Sequence, residues 1–226
     1  DINATRLEAG LYGTIERGTW NAKVYNYNSE RGIPGAIVNN VWRRGERVWD
    51  TNSFFQGSFV KEVNDQFKTQ VNAKYAFYRT HYVNNDDKLI EVDNLYKQRE
   101  VYVSTANMYT IFPFWDVSMS YDFQWNEMKA DMYGFVFPTR FTNLLSIATA
   151  LRLGKVKLQG SGLATFVNDR VKEGPAPKAR QILTPAVFLS YKPFDKHDFS
   201  LRAFYKKTFR MPTFNDLYYA DMGNSK

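Results

Sequence analysis

Side chains able to do chemistry are scarce in this chain of 226 residues. It has no cysteine and two histidines, His81 and His197, so neither a thiolate nucleophile nor a His- or Cys-rich metal centre can be assembled. His197 falls in the polar stretch Asp195-Lys196-His197-Asp198, which reads as a solvated turn. His81 ends an extended segment close to Asp86 and Asp87, the one local set from which an acid and a base could be drawn. Asn84-Asn85-Asp86-Asp87, with Glu91 and Asp93, offers the hard oxygen ligands that calcium takes, without the spacing of an EF-hand, and reads as a polar loop. Gly160-Ser161-Gly162 lies inside an extended segment instead of opening a helix, so it lacks the setting of a phosphate-binding loop. No catalytic residue, metal or cofactor is expected.

The elements that carry these residues are legible from alternation. From Asp116 to Asn126 the chain changes character at every step: Val117, Met119, Tyr121, Phe123 and Trp125 are apolar, and Asp116, Ser118, Ser120, Asp122, Gln124 and Asn126 are polar. Successive side chains of a strand point to opposite faces, so this strand needs an apolar medium on one side and water on the other. A protein core or a bilayer would serve.

The pattern recurs throughout. It predicts strands over about 6–16, 20–28, 54–63, 69–83, 100–111, 116–137 with Gly134 as a bulge, 143–153, 156–167, 182–191 and 199–209. Tight turns are expected at Arg17-Gly18, 64–66, 112–115, 154–155 and 192–198, and long connections at 29–50, 84–98, 169–180 and beyond Met211. Short and long connections therefore alternate. Barrels of the outer-membrane type have short turns at one end and long loops at the other, a rule that soluble sandwiches do not follow. The strands exceed the usual ~5–6 residues and reach the about 9–11 that a tilted strand needs to cross a bilayer. Phe112, Phe114, Trp115 and Phe194 flank short turns, where a membrane-boundary girdle belongs.

Bulk properties agree. Aromatics make up 17% of the residues, yet mean hydropathy is −0.49 and 23% are charged, a mixture that suits half-wet strands. No run approaches the ~20 apolar residues of a membrane helix; the best, 144–153, is broken by Ser146, Thr149 and Arg152. The opening residues lack the basic start and apolar run of a signal peptide. The net charge of +7 is dispersed. Its densest point, Trp42-Arg43-Arg44-Gly45-Glu46-Arg47, reads as a solvated loop, so no nucleic-acid partner is expected, whereas anionic lipid headgroups or an anionic ligand would suit a basic surface.

Phe209-Arg210-Met211-Pro212-Thr213-Phe214-Asn215-Asp216-Leu217-Tyr218-Tyr219 resembles a motif found late in the barrels of TonB-dependent outer-membrane receptors. Phe209, Arg210 and Pro212 match its Phe-Arg-Ala-Pro run, with Met211 in place of Ala. Gly223-Asn224 match the start of the following Gly-Asn-Pro box, with Ser225 in place of Pro. Ser29-Glu30-Arg31-Gly32-Ile33-Pro34-Gly35 is similar to the point where such a strand enters an extracellular loop, most of all in cobalamin receptors. Read from its residues alone, the motif is a brace at the rim: Arg210 faces the rim and Pro212 removes a donor where strand pairing should stop.

The resemblance implies an all-β fold, an antiparallel transmembrane β-barrel with about ten strands visible of 22. Residues 1–226 would form one partial outer-membrane β-barrel domain, with the plug domain, the early strands and the last few outside it. It implies active import of a scarce bulky nutrient, a cobalamin first and a ferric siderophore next, driven by a TonB-type energy-transducing complex acting through that plug. Haem receptors of the family carry a histidine between the two boxes, and 213–222 contain none, which disfavours haem. Ligand contacts are expected from loop residues Trp42, Arg43, Arg44, Trp49 and Tyr96, because flat rings lose little entropy in gripping a ligand. Two alternatives stay open: a self-contained small barrel, acting as a passive channel or surface hydrolase, and a soluble glycan-binding β-sandwich.

Overall fold

The computed structural model describes residues 1–33, 45–85, 91–195 and 197–214, and the backbone alone at 37–38 and 41–42. Its strands are β1 (Ile2–Ile15), β2 (Gly18–Gly32), β3 (Ile37–Val38), β4 (Val41–Trp42), β5 (Glu46–Glu62), β6 (Phe67–Asn84), β7 (Val92–Phe112), β8 (Trp115–Ala130), β9 (Thr139–Leu153), β10 (Val156–Arg170), β11 (Arg180–Tyr191) and β12 (Leu201–Lys206). Ten of them form a single sheet in the order β1-β2-β5-β6-β7-β8-β9-β10-β11-β12, each antiparallel to its neighbours, while β3 and β4 pair as a separate hairpin within the connection 33–45. β1 and β12 each have one partner among the described residues, so these strands form an open wall and do not close on themselves as a small barrel would.

Register extends the alternation of one strand across the whole wall. On one face, Gly13, Trp20, Phe59, Val71, Thr105, Tyr121, Leu145, Ala164 and Leu183 fall in one row over nine strands. On the other, Glu8, Tyr25, Phe54, Ala76, Glu100, Asn126, Arg140 and Asp169 fall in a second. Burial is inverted relative to a water-soluble domain. Apolar Met119, Ile147 and Leu183 are 51%, 55% and 60% exposed, whereas polar Ser104 and Asn126 on the opposite face are 5% and 7% exposed. Among the described residues no other strand packs on the apolar face of this sheet, the face that a soluble sandwich would make its core.

Aromatic rings bound the exposed band at both ends. Phe67, Tyr109 and Val117 share a row near the short turns, where Phe112 stacks on Phe114 at 5.4 Å and Trp115 Nε1 donates to Thr149 Oγ1 at 2.8 Å. Tyr75, Val101, Trp125 and Phe141 share a row toward the other end. From Tyr109 to Val101 the strand rises about 27 Å at ~3.4 Å per residue, or about 21 Å of depth at a tilt of ~40°, close to the ~25 Å apolar band of outer-membrane barrels.

Connections alternate as expected. Residues 16–17, 63–66, 113–114 and 154–155 turn tightly at one end, and 33–45, 85–91, 131–138 and 171–179 connect at the other; 192–200 lies at the tight end but is longer. At the first turn Arg17 adopts a left-handed φ of 55° and donates to Asp65 of the next turn at 2.6 Å, which raises its already high pKa.

Several boundaries differ from expectation. β2 and β5 run to Gly32 and from Glu46, and β7 starts at Val92, so the connections expected over 29–50 and 84–98 are shorter. β8 stops at Ala130: Gly134, with φ of 74°, belongs to the connection 131–138 and is no bulge. β12 is confined to Leu201–Lys206, well short of Phe209.

Candidate functional site

The polar face is tied together by side chains that reach across strands. Ser58 Oγ donates to Asn72 Oδ1 at 2.8 Å, and Asn72 Nδ2 to Ser104 Oγ at 2.9 Å. Lys74 Nζ donates to Glu100 Oε1 at 2.9 Å and to the Tyr78 hydroxyl at 3.0 Å, while Gln124 Nε2 donates to Glu100 Oε2 at 3.2 Å. Each contact is individually modest, but a fully paired polar network fixes the geometry of a wall that water would otherwise loosen.

The network deepens toward the long-connection end. Arg140 of β9 faces Asp169 of β10 directly, and its guanidinium donates through Nε and Nη2 to both carboxylate oxygens at 2.6 Å. Their side chains are 7% and 4% exposed. Such a bidentate pair is geometrically specific as well as strong. The third arm, Nη1, donates to the Pro212 carbonyl at 2.6 Å, and the guanidinium lies 4.9 Å from the centre of the Phe214 ring.

Arg140 therefore pins residues 207–214, which leave β12 and cross the polar face as a strap. Phe214 enters a small apolar cluster with Tyr96, Met128, Ala130 and Phe135, and Phe135 comes from the connection 131–138, folded inward over the same face. Between strap and wall lies a hollow of about 560 Å³, lined by Gln98, Glu100, Gln124, Asn126, Thr142 and Thr165 on one side and by Phe209 and Met211 to Phe214 on the other. Amides, hydroxyls, one carboxylate and two rings can hold a ligand by hydrogen bonds and stacking. The described residues contain no metal-ligand cluster.

The residues expected from sequence are distributed differently. Trp49 and Tyr96 are strand residues, not loop residues. Trp49, in β5, faces outward beside His81 with ring centres 5.3 Å apart, and Tyr96, in β7, is buried at the base of the strap, its hydroxyl 3.8 Å from Met132 Sδ. His81 Nε2 lies 2.6 Å from Asp93 Oδ1 on the outward side, away from the hollow. Trp42 falls in β4. Arg43, Arg44, Asp86 and Asp87 lie outside the described residues, as does the second box at Gly223-Asn224. Phe209, Arg210 and Pro212 lie beyond the last paired strand. The Pro212 carbonyl accepts from Arg140, not from Arg210, which is exposed.

An antiparallel wall that is apolar and exposed outside, polar and cross-linked inside, and flanked by two aromatic girdles has the character of one side of a lipid-spanning β-barrel of the outer-membrane class. Residues 2–225 match the TonB dependent receptor-like β-barrel family, and the chain belongs to it. Among solved structures it is similar to the ferric citrate transporter FecA in its unliganded form, with a TM-score of 0.61 and 12% sequence identity, over 86% of this chain and 34% of that one. The chain thus spans about a third of that relative's length, and the likeness is one of fold. No curated protein matches it in sequence.

Proposed function

We propose that this chain is part of the barrel wall of a receptor that imports a scarce, bulky nutrient across the outer membrane, driven by a TonB-type complex through a plug domain elsewhere in the protein. The observation that carries this reading is the strap: a motif segment of the family held against the inner wall by Arg140, roofing a polar hollow at the end that faces the medium. The nutrient we favour is a cobalamin, with a ferric siderophore next. Both are large and rich in amide or hydroxyl groups, as is the wall, and the connection 33–45, with Trp42, Arg43 and Arg44, supplies further contacts.

The test uses the full-length receptor. Uptake of cyanocobalamin or a ferric siderophore by cells that depend on it should be saturable and should cease when the proton-motive force is collapsed. Uptake that persists without it, and rises linearly with concentration, would mean a passive pore.

A further inference from the structure

The hollow under the strap is electrically one-sided, although the chain as a whole is basic. On the inward face Glu8, Asp50, Glu100, Asp116 and Asp169 are each held by a lysine or an arginine. Asp122 is not. It stands on β8 between Ser104 of β7 and Leu144 of β9, with Ser120 and Gln124 next along the same face, and none of these neighbours carries a charge. It is half-buried, and its side chain makes no ion pair or hydrogen bond among the described residues. Leu144 and Thr165, in its own row, line the hollow, as does Gln124. The unpaired carboxylate therefore sits at the deep end of the hollow, on the side of the short turns.

No cation on the lining is left to balance it. All three guanidinium nitrogens of Arg140 are engaged, by Asp169 and by the Pro212 carbonyl, and Lys74 Nζ is engaged by Glu100 and the Tyr78 hydroxyl. Arg79, Lys97, Arg99 and Lys129, which contribute to the net charge of +7, stand on the outward face. Each internal pair sums to zero, so Asp122 leaves the hollow with a net negative charge. Besides those pairs the lining presents amides and hydroxyls, from Gln98, Asn126, Thr142 and Thr165. An anion entering here gives up its water, meets no unpaired cation and faces Asp122, whereas an amide or hydroxyl finds uncharged partners. We infer that Asp122 sets the charge specificity of the hollow, which admits an uncharged, amide- or hydroxyl-bearing face of the nutrient and rejects a carboxylate in the same place. This specificity rests on the hollow being a station for an imported nutrient, and it separates the two candidates: a cobalamin with neutral peripheral amides fits, and a ferric siderophore fits only as an uncharged complex.

Dissociation constants of the purified full-length receptor for two pairs of probes test this. One pair is cyanocobalamin and its monocarboxylic acid, in which a peripheral amide is replaced by a carboxylate; the other is a neutral ferric trihydroxamate and an anionic ferric tris-catecholate. Binding of neither pair overturns the nutrient reading, and this inference with it. Where a pair binds, the wild type should hold the neutral member about tenfold more tightly, the effect of one charge across ~10 Å in a half-buried site. Asp122→Asn should abolish that preference and Asp122→Glu should keep it. An Asp195→Asn control, which removes an exposed charge beside a short turn, should leave it unchanged. An anionic member bound by the wild type as tightly as the neutral one overturns the inference while the import reading stands, and so does a preference that survives Asp122→Asn. Equal weakening of both members by Asp122→Asn also overturns it, because the carboxylate would then brace another part of the receptor instead of reading the ligand. The heat-dependent shift in gel mobility shows that each variant is folded.

Discussion

At the scale of residues, the buried pair Arg140–Asp169 organises the inner wall, and it does so because the guanidinium has more donors than one carboxylate can take. Two arms hold Asp169, and the third reaches the Pro212 carbonyl. Removing one member of a buried pair costs about 3–5 kcal/mol, because the other charge is left uncompensated. Asp169→Asn in the full-length receptor should lower the free energy of unfolding in urea by an amount in that range. Arg140→Lys should act differently: an ammonium keeps the charge but loses the planar fork, so the strap should loosen more than the wall. Hydrogen exchange should rise selectively across 207–214 and stay unchanged in β9 and β10. Nothing in the sequence around Arg140 marks it, since its partners sit at Asp169 and Pro212, and only the register of β9 against β10 brings them together.

At the scale of elements, the strands were readable wherever one face is apolar and the other wet. Val117 to Trp125 announces itself by chemistry alone, and β8 does run through it. The ends were not readable for the same reason. Beyond the girdles both faces meet water or headgroups, alternation disappears, and Glu46 to Asp50 or Val92 to Gln98 read as loops although backbone pairing carries β5 and β7 through them. Trp49 and Tyr96 fall in those two stretches. Turns are more strictly encoded. At Gly18 an added Cβ would stand 2.5 Å from the Val60 carbonyl oxygen, a backbone atom with nowhere to go. Gly18→Ala should therefore cost about 1–3 kcal/mol in unfolding free energy, the usual range for forced overpacking. At Gly154, by contrast, a Cβ meets no atom within 4 Å, and the penalty of Gly154→Ala would come only from the left-handed φ of 56°.

At the scale of the whole molecule, one medium on each face explains the composition, the inverted burial and the girdles together, and the two media can be told apart with a single charge. Val71 lies in the row of Phe59, Thr105 and Tyr121, midway between the girdle residues Phe67 and Tyr75 of β6, and is 40% exposed. An arginine there must sit in hydrocarbon, at a cost of about 2–4 kcal/mol at the bilayer midplane. Gln70, exposed on the inward face in the row of Ala106 and Ser120, offers the same charge a polar wall. Val71→Arg should destabilise the receptor in lipid vesicles by that amount, and Gln70→Arg by less than about 1 kcal/mol, the typical scale for a solvated substitution. Urea titration of both variants in vesicles of matched composition measures the difference. If the wall packed against protein on its apolar face, Val71→Arg would prevent folding in detergent and vesicles alike. If it faces lipid, thinner bilayers should reduce the penalty, because the arginine then reaches the interface by snorkelling.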